Sequence, residues 1–170
     1  VIVYVSRDSL RVPRSHGFYR FFSWEAILLL LLLNVNPWFQ DPFSWHQIIS
    51  WFFLSISAFL PIHAAQLFKR IGKQDARRDD APMLEFEKTT TLITVGAYHY
   101  IRHPMYSSLL FLAWGVFFKK PSWLGGVLAL LASGFLLATA KIEEAEGIRF
   151  FGAAYQAYMK QTKMFVPFLF

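Results

Sequence analysis

Apolar residues along this chain gather into four runs, separated by short polar breaks and one long charged one. The first runs from Phe18 to Val35, with six consecutive leucines from Leu28 to Leu33 and Glu25 as its one acidic residue. Its length is close to the roughly 20 residues a helix needs to cross about 30 Å of hydrocarbon. The second, Ile48 to Leu67, contains Trp51-Phe52-Phe53-Leu54, a polar His63 and Pro61, whose missing N–H predicts a kink. The third and fourth, Tyr106–Phe118 and Trp123–Ala140, are separated only by Lys119-Lys120-Pro121-Ser122 and predict a tight helical hairpin. The third is short, so it either continues through the polar residues before it or stops short of the far interface.

Composition supports the membrane reading. Of 170 residues, enough for one domain, 55% are hydrophobic and only 16% charged, with mean hydropathy +0.36. The expected fold is all-α, a polytopic membrane helical bundle of about four transmembrane helices forming one membrane domain over 1–170. Within it, 1–67 would hold N-terminal membrane helices and 68–105 a cytoplasmic loop. Residues 106–140 would be the hairpin and 141–170 a cytoplasmic C-terminal helix. Of the 17 Lys and Arg residues, four lie before or at the start of the first run, seven between Lys69 and Arg102, and four after Ala140. The 34–47 loop has none, so both termini and the long loop are expected on the cytoplasmic side. Lys119 and Lys120 then sit on the wrong side and are expected to snorkel. The net charge of +6 follows from topology and attraction to anionic membrane lipids, and makes no case for nucleic acid. Absence of cysteine excludes disulfides, thiolate metal sites and cysteine nucleophiles. The chain begins at Val1 with an apolar stretch to Val5, as expected of a fragment whose missing N-terminus carries more of a helix. No secretory signal with a small-residue cleavage site is present.

Between Lys69 and Arg102 a charge-dense segment leads past Pro82 to Thr89-Thr90-Thr91-Leu92-Ile93-Thr94-Val95-Gly96, whose β-branched residues predict an extended path ending in a turn. After Ala140 the tail is expected to be helical, with Phe150, Phe151, Ala154, Tyr155 and Tyr158 on one face.

Residues able to do chemistry crowd just before the third run, where Tyr98, His99, Arg102, His103 and Tyr106 fall within nine positions. Pro104 biases His103 away from helical geometry and suits the first turn of the next helix. The cluster suits either a catalytic site or a juxtamembrane anchor with Arg102 on lipid phosphate. Glu143-Glu144, with Glu146 nearby, stand at the end of the last run, where carboxylates do nothing for the helix dipole. One of them would neutralise Arg102 or receive a cationic ligand. His99 and His103 have the spacing of two metal ligands, but lack a zincin-type glutamate and a third ligand, so no metal is expected. Ser107-Ser108 lack a nucleophile elbow, and Gly125-Gly126 sit inside a run and suit close helix contact. Asp8, Glu25 and His63 are candidates for a polar cluster in the bundle, and with Arg102 for an ion path.

In order, Leu92-Ile93-Thr94-Val95-Gly96-Ala97-Tyr98, Arg102-His103-Pro104-Met105-Tyr106, an apolar hairpin, Glu143-Glu144, Phe151-Gly152, Tyr155, Tyr158 and Pro167 resemble the isoprenylcysteine carboxyl methyltransferase family and its phospholipid methyltransferase relatives. The resemblance covers about residues 89–168. It implies an S-adenosyl-L-methionine site at the cytoplasmic face, lined by Thr91, Leu92, Ile93, Tyr98, His103, Pro104, Met105, Tyr106, Glu143 and Glu144. Arg102 and Glu143 would sit at the reaction centre, with Arg102→Ala expected to abolish activity and leave folding intact. The acceptor would be a lipid or lipophilic small molecule: an isoprenylcysteine-like carboxylate by family preference, a phospholipid amine or small thiol otherwise. A non-catalytic membrane scaffold is the alternative of another class. Thr139 stands where the carboxyl methyltransferases carry a substrate-holding arginine, Gly147 replaces a leucine and Lys163 an arginine. These departures bear on the acceptor and leave the cofactor positions untouched.

Overall fold

The computed structural model describes Pro13, residues 15–71 and residues 92–169. Over these residues it is all-helical: α1 (His16–Leu33), α2 (Trp45–Ile71), a 3-10 turn (Gly96–His99), α3 (Pro104–Phe117), α4 (Trp123–Phe151) and α5 (Ala153–Gln161). Three helices are long and apolar enough to cross a membrane, and α3 is a shorter apolar one.

Helix ends follow local chemistry more than the edges of the apolar runs. Ser15 caps α1 by accepting from the Phe18 N–H at 3.1 Å, starting the helix two residues before Phe18. At its other end the Asn34 side chain donates to the Leu30 carbonyl. Helix α2 begins at Trp45 and runs through Pro61 as one helix to Ile71. Pro104 opens α3, which therefore does not extend through the polar motif; at 14 residues, about 21 Å, it falls short of a full crossing. The largest departure is α4. It continues eleven residues past Ala140, so Glu143, Glu144 and Glu146 stand on a regular helix instead of in a separate tail. Its 29 residues reach about 44 Å, more than a bilayer core requires, and lift those carboxylates beyond the apolar part. Gly152, at φ 59°, ends α4 and splits the aromatic face expected over 150–158: Phe150 and Ala154 are exposed while Tyr155 and Tyr158 are buried.

Helix α1 packs along α4, α2 along α3, and α3 against α4 joins the two pairs. The α1–α4–α3 core is built of Ala26, Ile27 and Leu30 against Ala113, Val116, Ala129 and Ala132, small residues that let backbones approach. Ser50 donates to the Gly115 carbonyl across the α2–α3 contact at 2.7 Å. Leu28, Leu29, Leu32 and Leu33 remain exposed, the lipid-facing side of the leucine run.

At the end of the bundle formed by the 34–44 loop and the α3–α4 connection, Lys119 corrects the expectation of snorkelling. It is 1% exposed. Its ammonium lies 3.4 Å from the Trp51 ring centroid and 5.2 Å from that of Trp38, and donates to Gln47 Oε1 at 3.0 Å. Gln47 in turn donates to the carbonyls of Pro37 and Gln40. An aromatic cage thus holds the charge that the lipid would not. Lys120 is exposed.

Candidate active site

The opposite end is assembled from the motif segment, the α4 extension, α5 and the last residues. Gly96 has φ 64°, and a Cβ there would fall 2.6 Å from His63 Nε2, so the turn requires glycine twice over. His63 accepts from the Ala97 N–H at 3.3 Å and stacks on Phe59. It docks the turn onto α2; Glu25 is half-buried on α1, and Asp8, the other member of the expected polar cluster, lies outside the described residues. The next residues pair with the C-terminal segment: Arg102 N donates to Lys163 O, Lys163 N to Tyr100 O, and His103 N to Met164 O. Tyr158 Oη donates to the Tyr98 carbonyl at 2.7 Å, and Ser107 Oγ to the Phe165 carbonyl at 2.8 Å. Ser107 and Ser108 both donate to backbone carbonyls and hold the segment; they serve no triad.

Five expected residues converge there. Arg102 Nε donates to Glu144 Oε1 at 2.6 Å. His103 Nδ1 lies 3.5 Å from Glu143 Oε2 and its Nε2 lies 3.6 Å from Glu144 Oε1, while Tyr106 stacks on the imidazole. His103 is buried, and burial disfavours its charge. Two adjacent carboxylates more than offset this, so its pKa is raised and the imidazolium favoured. Burial, then the same carboxylates, pushes the Tyr155 phenol up; burial raises Tyr158 as well. Both stay protonated. Among the described residues, His103 Nε2 and Glu143 Oε2 are buried and make no close hydrogen bond. His103 offsets part of the cost of burying the Glu143 carboxylate, and a ligand cation or donor would offset more.

Ile93 and Tyr98 are buried with Ala64, and Met105 and Leu67 pack against them. Pro104 is buried and Leu92 half-buried, while Thr91 lies outside the described residues. Arg102 departs from its expected role. Its Nη1 donates to the carbonyls of Met159, at 3.2 Å, and Thr162, so the guanidinium clamps the C-terminus of α5. Nη2 has no partner among the described residues.

Sequence reading missed His16. Helix α1 brings it to the same end, 1% exposed, with Nδ1 at 3.2 and 2.9 Å from the two carboxylate oxygens of Glu146. A histidine directly after a serine cap, ahead of an apolar run, was the available signal. Thr139, in the arginine position, is fully buried and donates to the Phe135 carbonyl. Among the described residues no group of three His, Cys, Asp or Glu is placed to hold a metal; His99 is exposed.

Comparison with known proteins adds an independent line. A family model described as phospholipid methyltransferase matches residues 50–154, more than half the chain. The chain is 27% identical over 149 residues to a methanethiol S-methyltransferase of Pseudomonas sp. (strain GM41(2012)), covering 86% of this chain and 54% of that protein. It is 29% identical over 123 residues to one of Pseudomonas deceptionensis, covering 71% and 43%. The chain thus spans about half the length of the curated relatives it matches. No solved structure matches it.

Proposed function

The chain belongs to the phospholipid methyltransferase family, and from that premise we propose that it transfers a methyl group from S-adenosyl-L-methionine to a small thiol at the cytoplasmic face of a membrane. The observation carrying this reading is Glu143 Oε2, buried 3.5 Å from His103 Nδ1 and short of a close hydrogen-bond donor among the described residues, beside Tyr106 and Glu144. Such an oxygen fits a ligand that brings positive charge. When bound, S-adenosyl-L-methionine supplies an activated methyl group on a sulfonium, together with an ammonium.

Glu143 and Glu144 would receive the cationic groups, and His103, Pro104, Met105 and Tyr106 would line the donor with Leu92, Ile93, Tyr98 and Thr91. Arg102 fixes Glu144 and α5. Glu143 and Arg102 are the residues assigned to the reaction centre. What the protein must do is align nucleophile, methyl carbon and sulfur and exclude water, which positioning alone can make worth several orders of magnitude.

Two features favour a small thiol over an isoprenylcysteine-like carboxylate. Thr139 is buried and offers no guanidinium, and Arg102 is occupied by Glu144 and α5, which weighs against bidentate pairing with a carboxylate. The relatives are also named for a small thiol. Lys141, Arg149, Lys160 and Lys163 near the site support its cytoplasmic placement.

The test is calorimetric binding of S-adenosylhomocysteine to the full chain in detergent, with transfer of labelled methyl groups from the donor to alkyl thiols and to lipid extract. Expected are binding, at least about tenfold weaker in Glu143→Gln, and a methylated thiol. Absence of both binding and transfer overturns the reading. Binding without transfer to any acceptor identifies a non-catalytic scaffold.

A further inference from the structure

His103 is wedged between the two carboxylates assigned above to the donor's cationic groups. Its Nδ1 lies 3.5 Å from Glu143 Oε2 and its Nε2 3.6 Å from Glu144 Oε1. Tyr106 stacks on the ring, Phe165 lies 6.2 Å away, and the backbone N–H of His103 donates to the Met164 carbonyl, so the imidazole is fixed in place. A cation of the protein thus stands where a cation of the ligand is to be received.

The charges around it set the consequence. Facing His103 are Glu143 and Glu144 of α4, Arg102 of the motif segment paired with Glu144, Tyr106 of α3, and the protonated phenols of Tyr155 and Tyr158 of α5; His16 of α1 acts on Glu143 from farther off. In the ligand-free chain the imidazolium and the guanidinium balance the two carboxylates, in keeping with the raised pKa of His103. S-Adenosyl-L-methionine brings an ammonium and a sulfonium against one carboxylate of its own, so positive charge then exceeds negative. Like charge within about 4–6 Å disfavours an imidazolium. The sulfonium has no proton to lose and the guanidinium does not deprotonate, whereas an imidazole ordinarily titrates near about 6.5.

We propose that His103 is the proton-exchanging group of the methyl-transfer site: it gives its proton to water as Glu143 and Glu144 take the donor's cationic groups, and, then neutral, it takes the proton of the acceptor thiol. The role rests on the methyltransferase reading above. An ordinary thiol, with a pKa near about 8.5, is mostly protonated at neutral pH and reacts as the thiolate, so a base is required. His103 accepts the proton as the thiol S–H bond breaks. The thiol sulfur's electron pair forms the bond to the methyl carbon, and the pair of the breaking carbon–sulfonium bond stays on the donor sulfur. The sulfonium charge disappears as the imidazolium forms, and Glu143 and Glu144 hold that imidazolium again.

The experiment titrates the full chain in detergent with S-adenosyl-L-methionine and with S-adenosylhomocysteine, by calorimetry in buffers of different ionisation heat, which counts the protons released. Expected near about pH 7 is a release approaching about one proton per S-adenosyl-L-methionine, less with S-adenosylhomocysteine, which lacks the sulfonium charge, and little in His103→Gln. By the same linkage wild-type affinity for S-adenosyl-L-methionine rises with pH, by up to about tenfold per unit, until His103 is neutral in the free chain. Glu143→Gln leaves one carboxylate to hold the imidazolium and moves the release to lower pH, which keeps the assignment testable if His103→Gln does not fold. At saturating donor, His103→Gln is expected to lose about 100-fold or more on an alkyl thiol and far less on an acidic aryl thiol already ionised at the assay pH. Binding without proton release, release undiminished in His103→Gln, or release unmoved in Glu143→Gln overturns the exchange. Equal losses on both thiols overturn the base role, and in each of these cases the methyltransferase reading stands. A wild-type chain that binds neither ligand and methylates neither thiol overturns both.

Discussion

Gly147 on α4 has no room for a side chain because the ring of Tyr155 lies across it: a Cβ there would fall 2.8 Å from Tyr155 Cζ. Tyr155 is buried and stacks on Phe151, so the ring cannot swing aside freely. Gly147→Leu restores the residue of the carboxyl methyltransferases and is expected to destabilise. Overpacking costs about 1–3 kcal/mol, more than the gain of under about 1 kcal/mol in helix propensity. Combined with Tyr155→Ala, the same leucine gains space and becomes neutral or stabilising. A double-mutant cycle on thermal unfolding in detergent, with a coupling energy of opposite sign to the single loss, checks this.

Arg102→Ala is expected to loosen the fold as well as impair transfer, contrary to what the motif alone suggests. The substitution leaves Glu144 buried without its cation and removes the clamp on the carbonyls of Met159 and Thr162. Breaking such a pair costs about 3 kcal/mol or more. Arg102→Lys keeps the charge but loses the fork and recovers only part. Arg102→Ala with Glu144→Gln, which removes the stranded charge, should melt higher than Arg102→Ala alone. Faster limited proteolysis after Gly152 in Arg102→Ala reports the loosened α5.

How far the sequence reached follows from which forces act locally. Apolar runs named every long helix among the described residues, and Pro104 set the start of α3, because burial and proline geometry are properties of the segment itself. The end of α4 was misplaced because hydropathy falls at Ala140 while helix propensity does not; Glu143, Glu144 and Glu146 are good helix formers, and only Gly152 stops the helix. His103, Glu143, Glu144 and Arg102 were legible through an ordered motif. His16–Glu146 was not, since 130 positions separate the partners and only the packing of α1 along α4 joins them. Lys119 was misread for the same reason: its cage comes from Trp38, Gln47 and Trp51, none adjacent to it in sequence.

The raised pKa of His103 fixes a direction for pH. A group whose folded pKa lies above its unfolded value contributes stability that is fully present below the unfolded pKa, about 6.5, and lost as pH rises through the folded one. Thermal midpoints in detergent should therefore fall as pH is raised from about 6.5 upward. His103→Gln should flatten that fall, and Glu143→Gln, which removes one of the two carboxylates holding the imidazolium, should move it to lower pH. A slope unchanged in His103→Gln would place the titration elsewhere.

Lys119 allows stability and chemistry to be separated, because its cage lies at the opposite end of the bundle from His103. Burial lowers its pKa, yet the ring of Trp51 at 3.4 Å, that of Trp38 and the Gln47 carbonyl compensate for lost water. Trp51→Leu removes the nearest ring and leaves a buried ammonium with fewer partners, a loss of about 2 kcal/mol or more for a desolvated cation–π contact. Lys119→Met retains the volume without the charge, so it should cost less than Trp51→Leu, since no buried cation is left behind. Combining the two should be less harmful than the sum of the single losses. Thermal unfolding of the three variants measures this coupling. S-Adenosylhomocysteine affinity should stay at the wild-type value in Lys119→Met, and a change there would mean that the two ends of the bundle are energetically linked.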